Sequence, residues 1–150
     1  MSLKSQVESG IKDAMRAKDT DKLRALRAIK SLILLDETKA GGTGGELSAD
    51  DELKLLTKAA KQRRESADIY RAQGREDLLA VEEAELAIIE QFLPKQLTEE
   101  EIKTKLQEII ARVGASAPSD MGKVMGVATK ELAGQADGRV VSTLVKSLLA

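Results

Sequence analysis

The chain has no cysteine, no histidine and no tryptophan, and only one Phe and one Tyr among its 150 residues. Each absence removes a class of chemistry. Without cysteine there are no disulfides, thiol nucleophiles or thiolate metal sites, a composition that fits a reducing compartment. Without histidine the usual general base and the commonest neutral metal ligand are missing, so zinc chemistry and Ser-His or Cys-His machinery are excluded. Two aromatic rings are too few to stack bases in the manner of an RNA-recognition sheet, and the core must be aliphatic. No apolar run approaches the ~20 residues needed to span a bilayer, and the opening Met1-Ser2-Leu3-Lys4-Ser5-Gln6 lacks the apolar region of a secretory signal. These features predict a soluble, cytoplasmic protein with no membrane contact. Lys and Arg number 24 against 25 Asp and Glu, a net charge of −1. A globally basic nucleic-acid binder is excluded, while a local basic patch is not.

What is present is helical periodicity, with little strand-like alternation. Leu3, Val7, Ile11 and Met15 recur at four-residue steps and predict a first helix ending near Lys18. Asp19 or Thr20 caps a second, with Leu23, Leu26, Ile29, Ile33 and Leu34 on one face, which stops at Gly41-Gly42-Thr43-Gly44-Gly45. That tract reads as a flexible linker, because it lacks the Gly-Lys-Ser/Thr ending of a phosphate-binding loop and any strand before it. Ser48 and Asp51 form a variant capping box opening a helix that runs to Gln73 and stops at Gly74, roughly 26 residues or about 39 Å. A further helix over residues 76–93 carries Leu78, Val81, Leu86, Ile89 and Phe92 and ends at Pro94. The short link at Gly74 makes these two antiparallel.

Pro94-Lys95-Gln96-Leu97 marks a boundary, since Thr98-Glu99-Glu100-Glu101 is a full capping box starting a new helix. Its apolar face is Ile102, Leu106, Ile109, Ile110 and Val113, and Gly114 stops it. Ser119 or Asp120 caps a helix through Leu132, Gly134 suits a left-handed stop, and Asp137 caps a last helix with Val141, Leu144, Val145 and Leu148 inward. The expected fold is all-α: residues 1–94 form a helical-hairpin subdomain made of two N-terminal helices, the loop at 41–45 and the long antiparallel pair. It packs with a three-helix subdomain at 95–150.

Charge is distributed unevenly. From Lys54 to Arg75 there are seven basic residues, Lys54, Lys58, Lys61, Arg63, Arg64, Arg71 and Arg75, against Glu65 and Asp68. Residues 76–90 hold six acids and no base. Closing the hairpin brings Lys61 and Arg64 to the level of Glu85 and Glu90, so cross-helix pairing competes with outward presentation of Arg63, Arg71 and Arg75 to phosphates. Nothing assigns Glu82, Glu85 and Glu90 to acid–base or metal work. In the last part of the chain Lys123, Lys130, Arg139 and Lys146 face Asp120, Glu131 and Asp137, an excess of one. Gly122 and Gly126 lie in one short helix at about 1 kcal/mol each relative to Ala, a cost that close approach by a neighbouring helix or a partner's backbone would explain.

Several spaced motifs agree together. Lys61-Gln62-Arg63-Arg64-Glu65-Ser66 with Tyr70, Gly74-Arg75 and Asp77-Leu78 comes first. Leu93-Pro94-Lys95-Gln96-Leu97, Met121-Gly122-Lys123-Val124-Met125 and Ala136-Asp137-Gly138-Arg139 follow. Over essentially its whole length the chain resembles the YqeY family, itself similar to the tail domain of the aspartyl/glutamyl-tRNA amidotransferase. It departs at Gln135, where relatives tend to carry a basic residue. The resemblance implies a long helical hairpin with a three-helix subdomain, and a tRNA-engaging appendage without the catalytic part of a carbon–nitrogen ligase. Together the residues and the resemblance give the expectation of a non-catalytic module that binds tRNA or another structured RNA, with no cofactor and no metal. Lys123, Lys130, Arg139 and Lys146 contact phosphates in that reading, and Arg63, Arg64 and Arg75 extend the footprint. The alternative is a protein–protein adaptor for translation or amidotransferase complexes, docked through the Gly122 and Gly126 face.

Overall fold

A computed structural model describes residues 2–39 and 46–150. The glycine tract expected as a linker, residues 41–45, lies outside the described residues. Among those described the chain is all-α, with seven α-helices, one 3₁₀ turn and no strand. It divides into two compact units, Met1–Leu93 and Pro94–Ala150, each with its own apolar core.

The first unit holds α1 (Leu3–Ala17), α2 (Thr20–Lys39), α3 (Ala49–Ala72) and α4 (Glu76–Glu90). Ser2 and Ser48 cap α1 and α3 by accepting the Ser5 and Asp51 N–H groups, and the Asp19 carboxylate accepts from Lys22 N–H at the start of α2. Lys18 closes α1 in the left-handed region, and Gly74, at φ +69°, turns α3 into α4. Leu26, Ile29 and Ile33 of α2 are fully buried against Val7 of α1, Ala60 of α3 and Ile89 of α4. Each such aliphatic side chain stabilises the fold by about 1.5–3 kcal/mol. Gly10 lets α1 approach α2 closely: a Cβ there would sit 3.0 Å from the buried Leu26 Cδ1.

Two expected core residues are exposed, Met15 at 56% and Leu34 at 43%. Four-residue steps drift by about 40° each on a helix of 3.6 residues per turn, so Met15 has rotated about 120° from Leu3, and Ala14 takes the inward place. The fourth helix stops at Glu90, before the expected Leu93. There the N–H groups of Gln91, Phe92 and Leu93 each turn to the carbonyl three residues back, a tightened exit ahead of Pro94.

The second unit holds α5 (Glu99–Val113), a 3₁₀ turn at Pro118–Asp120, α6 (Met121–Glu131) and α7 (Gly138–Leu149). Ile102, Leu106 and Ile109 of α5, Val124 and Ala128 of α6, and Val141, Val145 and Leu149 of α7 form its core. Thr98 and Glu101 complete both halves of the capping box. Asp120 does not cap α6 as expected. Its carboxylate turns back to accept the Ser116 and Ala117 N–H groups, and α6 continues directly from the 3₁₀ turn.

Candidate functional site

The corner between α6 and α7 is built by residues from both ends of the second unit. Gly134 is buried at φ +74°, and its carbonyl accepts from the Gln96 side-chain amide at 2.6 Å. The same amide also donates to the Pro94 carbonyl at 3.0 Å. Leu97 N–H donates to the Gln135 carbonyl at 2.9 Å. Residues 94–97 and the Gly134-Gln135 turn that leads into the Ala-Asp-Gly-Arg corner are therefore joined, although 38 residues separate Gln96 from Gly134. Asp137 caps α7 by accepting Arg139 N–H at 2.8 Å.

On α6, at about 100° per residue, Gly122, Gly126, Lys130 and Lys123 fall within an arc of about 100° opposite Val124 and Ala128. All four are exposed. A Cβ placed on Gly122 or Gly126 would meet no atom within 4 Å, so no neighbouring helix accounts for either glycine. The result is a strip of nearly bare backbone with two lysines along one edge. On α7, Arg139 and Lys146 stand two turns apart on one exposed side.

Nearby acids are engaged elsewhere. Glu131 pairs with Arg112 of α5, and Asp120 and Asp137 serve loop and cap. The Ser116 and Ala117 N–H groups hold the Asp120 carboxyl below the usual carboxylate range, and Thr98 N–H does the same for Glu101. Lys123, Lys130 and Lys146 have no ion pair among the described residues. Lys123, Lys130 and Lys146 are thus exposed with no carboxylate in ion-pair range, and the Lys123 charge adds to the hydrogen bonds that lower the Asp120 carboxyl.

The three hairpin arginines are placed differently. Arg63 Nη1 lies 3.0 Å from Glu85 and 3.1 Å from Glu82, and Glu85 also accepts from Arg24 of α2 at 3.1 Å. The nearer Glu82 oxygen is buried and lacks hydrogen-bond geometry to Arg63. Arg64 reaches Glu90 at 3.3 Å. Arg75 makes a two-point contact with Asp77, at 3.2 and 3.1 Å, which raises the guanidinium pKa and lowers that of the carboxyl. Of the two cross-helix pairings expected at this level, Arg64 with Glu90 is present, while Arg63 rather than Lys61 meets Glu85. The reason is angular: Arg63 flanks the buried seam of Leu56, Ala60 and Ala67, whereas Lys61 points away from it. Glu82 and Glu85 are occupied by arginine, and among the described residues no group of acids is arranged to hold a metal ion. No helix among those residues is long and apolar enough to cross a membrane.

Residues 4–149 match the protein family described as Yqey-like protein. The chain is also 32% identical to altered inheritance of mitochondria protein 41, mitochondrial, of Clavispora lusitaniae, over 97% of this chain and 86% of that protein. Its identity to the protein of the same name from Candida glabrata is 31%, over 75% of this chain and 63% of that protein. Both relatives are named as mitochondrial, which overturns the cytoplasmic location expected from the sequence. The missing apolar signal carried no such information, because mitochondrial transit peptides are amphipathic rather than apolar.

Proposed function

The chain belongs to the Yqey-like family, and from that premise we propose that it is a non-catalytic module that docks on structured RNA, tRNA first, by shape and backbone charge. The observation that carries this reading is the outward side of α6 and α7, where Lys123, Lys130 and Lys146 are exposed without ion pairs. Arg139 stands on the same side of α7 as Lys146. Phosphate recognition needs cations that are accessible and not already neutralised, and it needs little else when sequence is not read. The open Gly122–Gly126 strip lets a backbone come closer to the helix than side chains would allow. The lack of histidine and cysteine supports a role without bond-making, since the side chains that most often act as base and nucleophile are missing.

A salt titration of tRNA binding tests the surface. Replacing Lys123, Arg139 and Lys146 with Ala lowers the dependence of log K on log salt by roughly 1 for each phosphate that is no longer neutralised. An unchanged affinity and slope in the triple variant would remove this surface from the footprint. The Gly122–Gly126 strip also favours a second reading, docking of a partner helix in a translation or amidotransferase complex. Affinity capture with and without RNase separates the two: protein partners that persist after RNase support the adaptor.

A further inference from the structure

Charges on the hairpin are sorted by residue type. Each of Arg63, Arg64, Arg71 and Arg75 lies within 4 Å of a carboxylate, at Glu82 and Glu85, Glu90, Asp68 and Glu83, and Asp77 respectively. Lys54, Lys58 and Lys61 of α3 are exposed and have no ion pair among the described residues. The α4 acids that face α3, Glu82, Glu83, Glu85 and Glu90, are taken by arginine, whose planar fork suits a carboxylate better than an ammonium does.

Position on the helix completes the pattern. The three lysines fall within an arc of about 60°, directly opposite the seam formed by Leu56, Ala59, Ala60 and Ala67. They span about 10.5 Å along the axis, at steps of four and three residues. Asp50 and Asp51 lie one turn before the stripe and Glu65 one turn after it, on the same side, and no carboxylate lies on that side between them. A row of three exposed ammonium groups matches a chain of regularly repeated anions. It offers no planar fork for a single carboxylate and no apolar surface for a peptide.

We propose that the Lys54–Lys58–Lys61 stripe is the hairpin's contact with the phosphate backbone of structured RNA, in place of Arg63, Arg64 and Arg75. It rests on the RNA reading above and adds a second, separate surface to it. The stripe supplies affinity and salt dependence without reading sequence.

Three full-length variants are compared with the wild type in tRNA titrations over a range of salt. The first changes Lys54, Lys58 and Lys61 to Gln, and the second changes Arg63 and Arg64 to Gln. The third changes three scattered exposed lysines, Lys12, Lys39 and Lys103, to Gln, matching the first in net charge. The stripe variant is expected to lower the salt slope by about 2–3 and to bind more weakly, with the other two close to wild type. All the substituted lysines are exposed, so both lysine variants melt near wild type; Arg63→Gln removes a partner of buried Glu85, so the arginine variant is titrated well below its own, lower melting temperature. Equal losses in the stripe and scattered variants overturn the proposal, because net charge alone then explains them. An unchanged slope in the stripe variant, alongside a reduced slope when Lys123, Arg139 and Lys146 are changed, overturns the stripe and leaves the RNA reading standing. Wild-type protein that shows no tRNA binding overturns both. A stripe variant that keeps tRNA binding but loses binding to phosphatidylserine vesicles assigns the lysines to a lipid surface instead.

Discussion

Glu85 is 8% exposed, with Arg24 on one carboxylate oxygen and Arg63 on the other, so α2, α3 and α4 meet at one buried anion. Replacing it with Ala leaves two guanidinium groups without their partner. Removing one member of a buried pair costs about 3–5 kcal/mol, and the partial exposure of both arginines lowers the expected loss to about 2–4 kcal/mol. Arg71→Ala, which breaks only exposed pairs with Asp68 and Glu83, costs less than about 1 kcal/mol. Urea denaturation of the two variants measures the difference, and equal losses would show that the Glu85 network behaves like surface charge. At this scale the sequence was most readable where chemistry is local. Thr98 with Glu101 and the left-handed glycines at positions 74, 114 and 134 depend only on near neighbours. Which arginine meets Glu85 was not readable, because that depends on the rotation of α3 against α4.

At the scale of the helix, α6 is the element whose composition works against its own stability. Gly122 and Gly126 have helical rather than left-handed backbone and open space where a Cβ would go, so alanine fits both positions without strain. Gly122→Ala with Gly126→Ala should stabilise the fold by about 1–2 kcal/mol in total. For a small cooperative unit that is a rise in melting temperature of roughly 4–15 °C. If RNA uses the strip, the same double variant binds tRNA more weakly, because two methyl groups stand between backbone and phosphate. Melting and titration are read together: a variant that melts lower contradicts the structural account, and one that melts higher with unchanged affinity removes the strip from the site. The sequence showed that the two glycines needed a reason. It could not say which, since a neighbouring helix and an outside partner leave the same pattern in one chain.

At the scale of the whole molecule, the second unit is expected to fold alone. Its core of Ile102, Leu106, Ile109, Val124, Ala128, Leu132, Val141, Val145 and Leu149 is complete within Pro94–Ala150, and Arg112 with Glu131 ties α5 to α6. At 57 residues such a unit is near the lower limit for independent stability, so each contribution at its edges counts. Where a fragment begins therefore matters more than the helix boundaries suggest. A fragment of residues 94–150 keeps Gln96 on the Gly134 carbonyl and Leu97 on both the Gln135 carbonyl and the apolar core. A fragment of residues 98–150 keeps all three helices and the Thr98 cap but loses that joint. Two hydrogen bonds and a partly buried leucine are together worth about 2–4 kcal/mol, a large share of what so small a core supplies. The longer fragment should be helical and melt cooperatively, with the shorter one melting well below it or failing to fold, as followed by circular dichroism. Equal melting of the two would mean that the Pro-Lys-Gln-Leu segment only connects the units and does not hold the corner that presents Arg139. The same comparison in tRNA binding then asks whether the corner must be held in place for Arg139 and Lys146 to act.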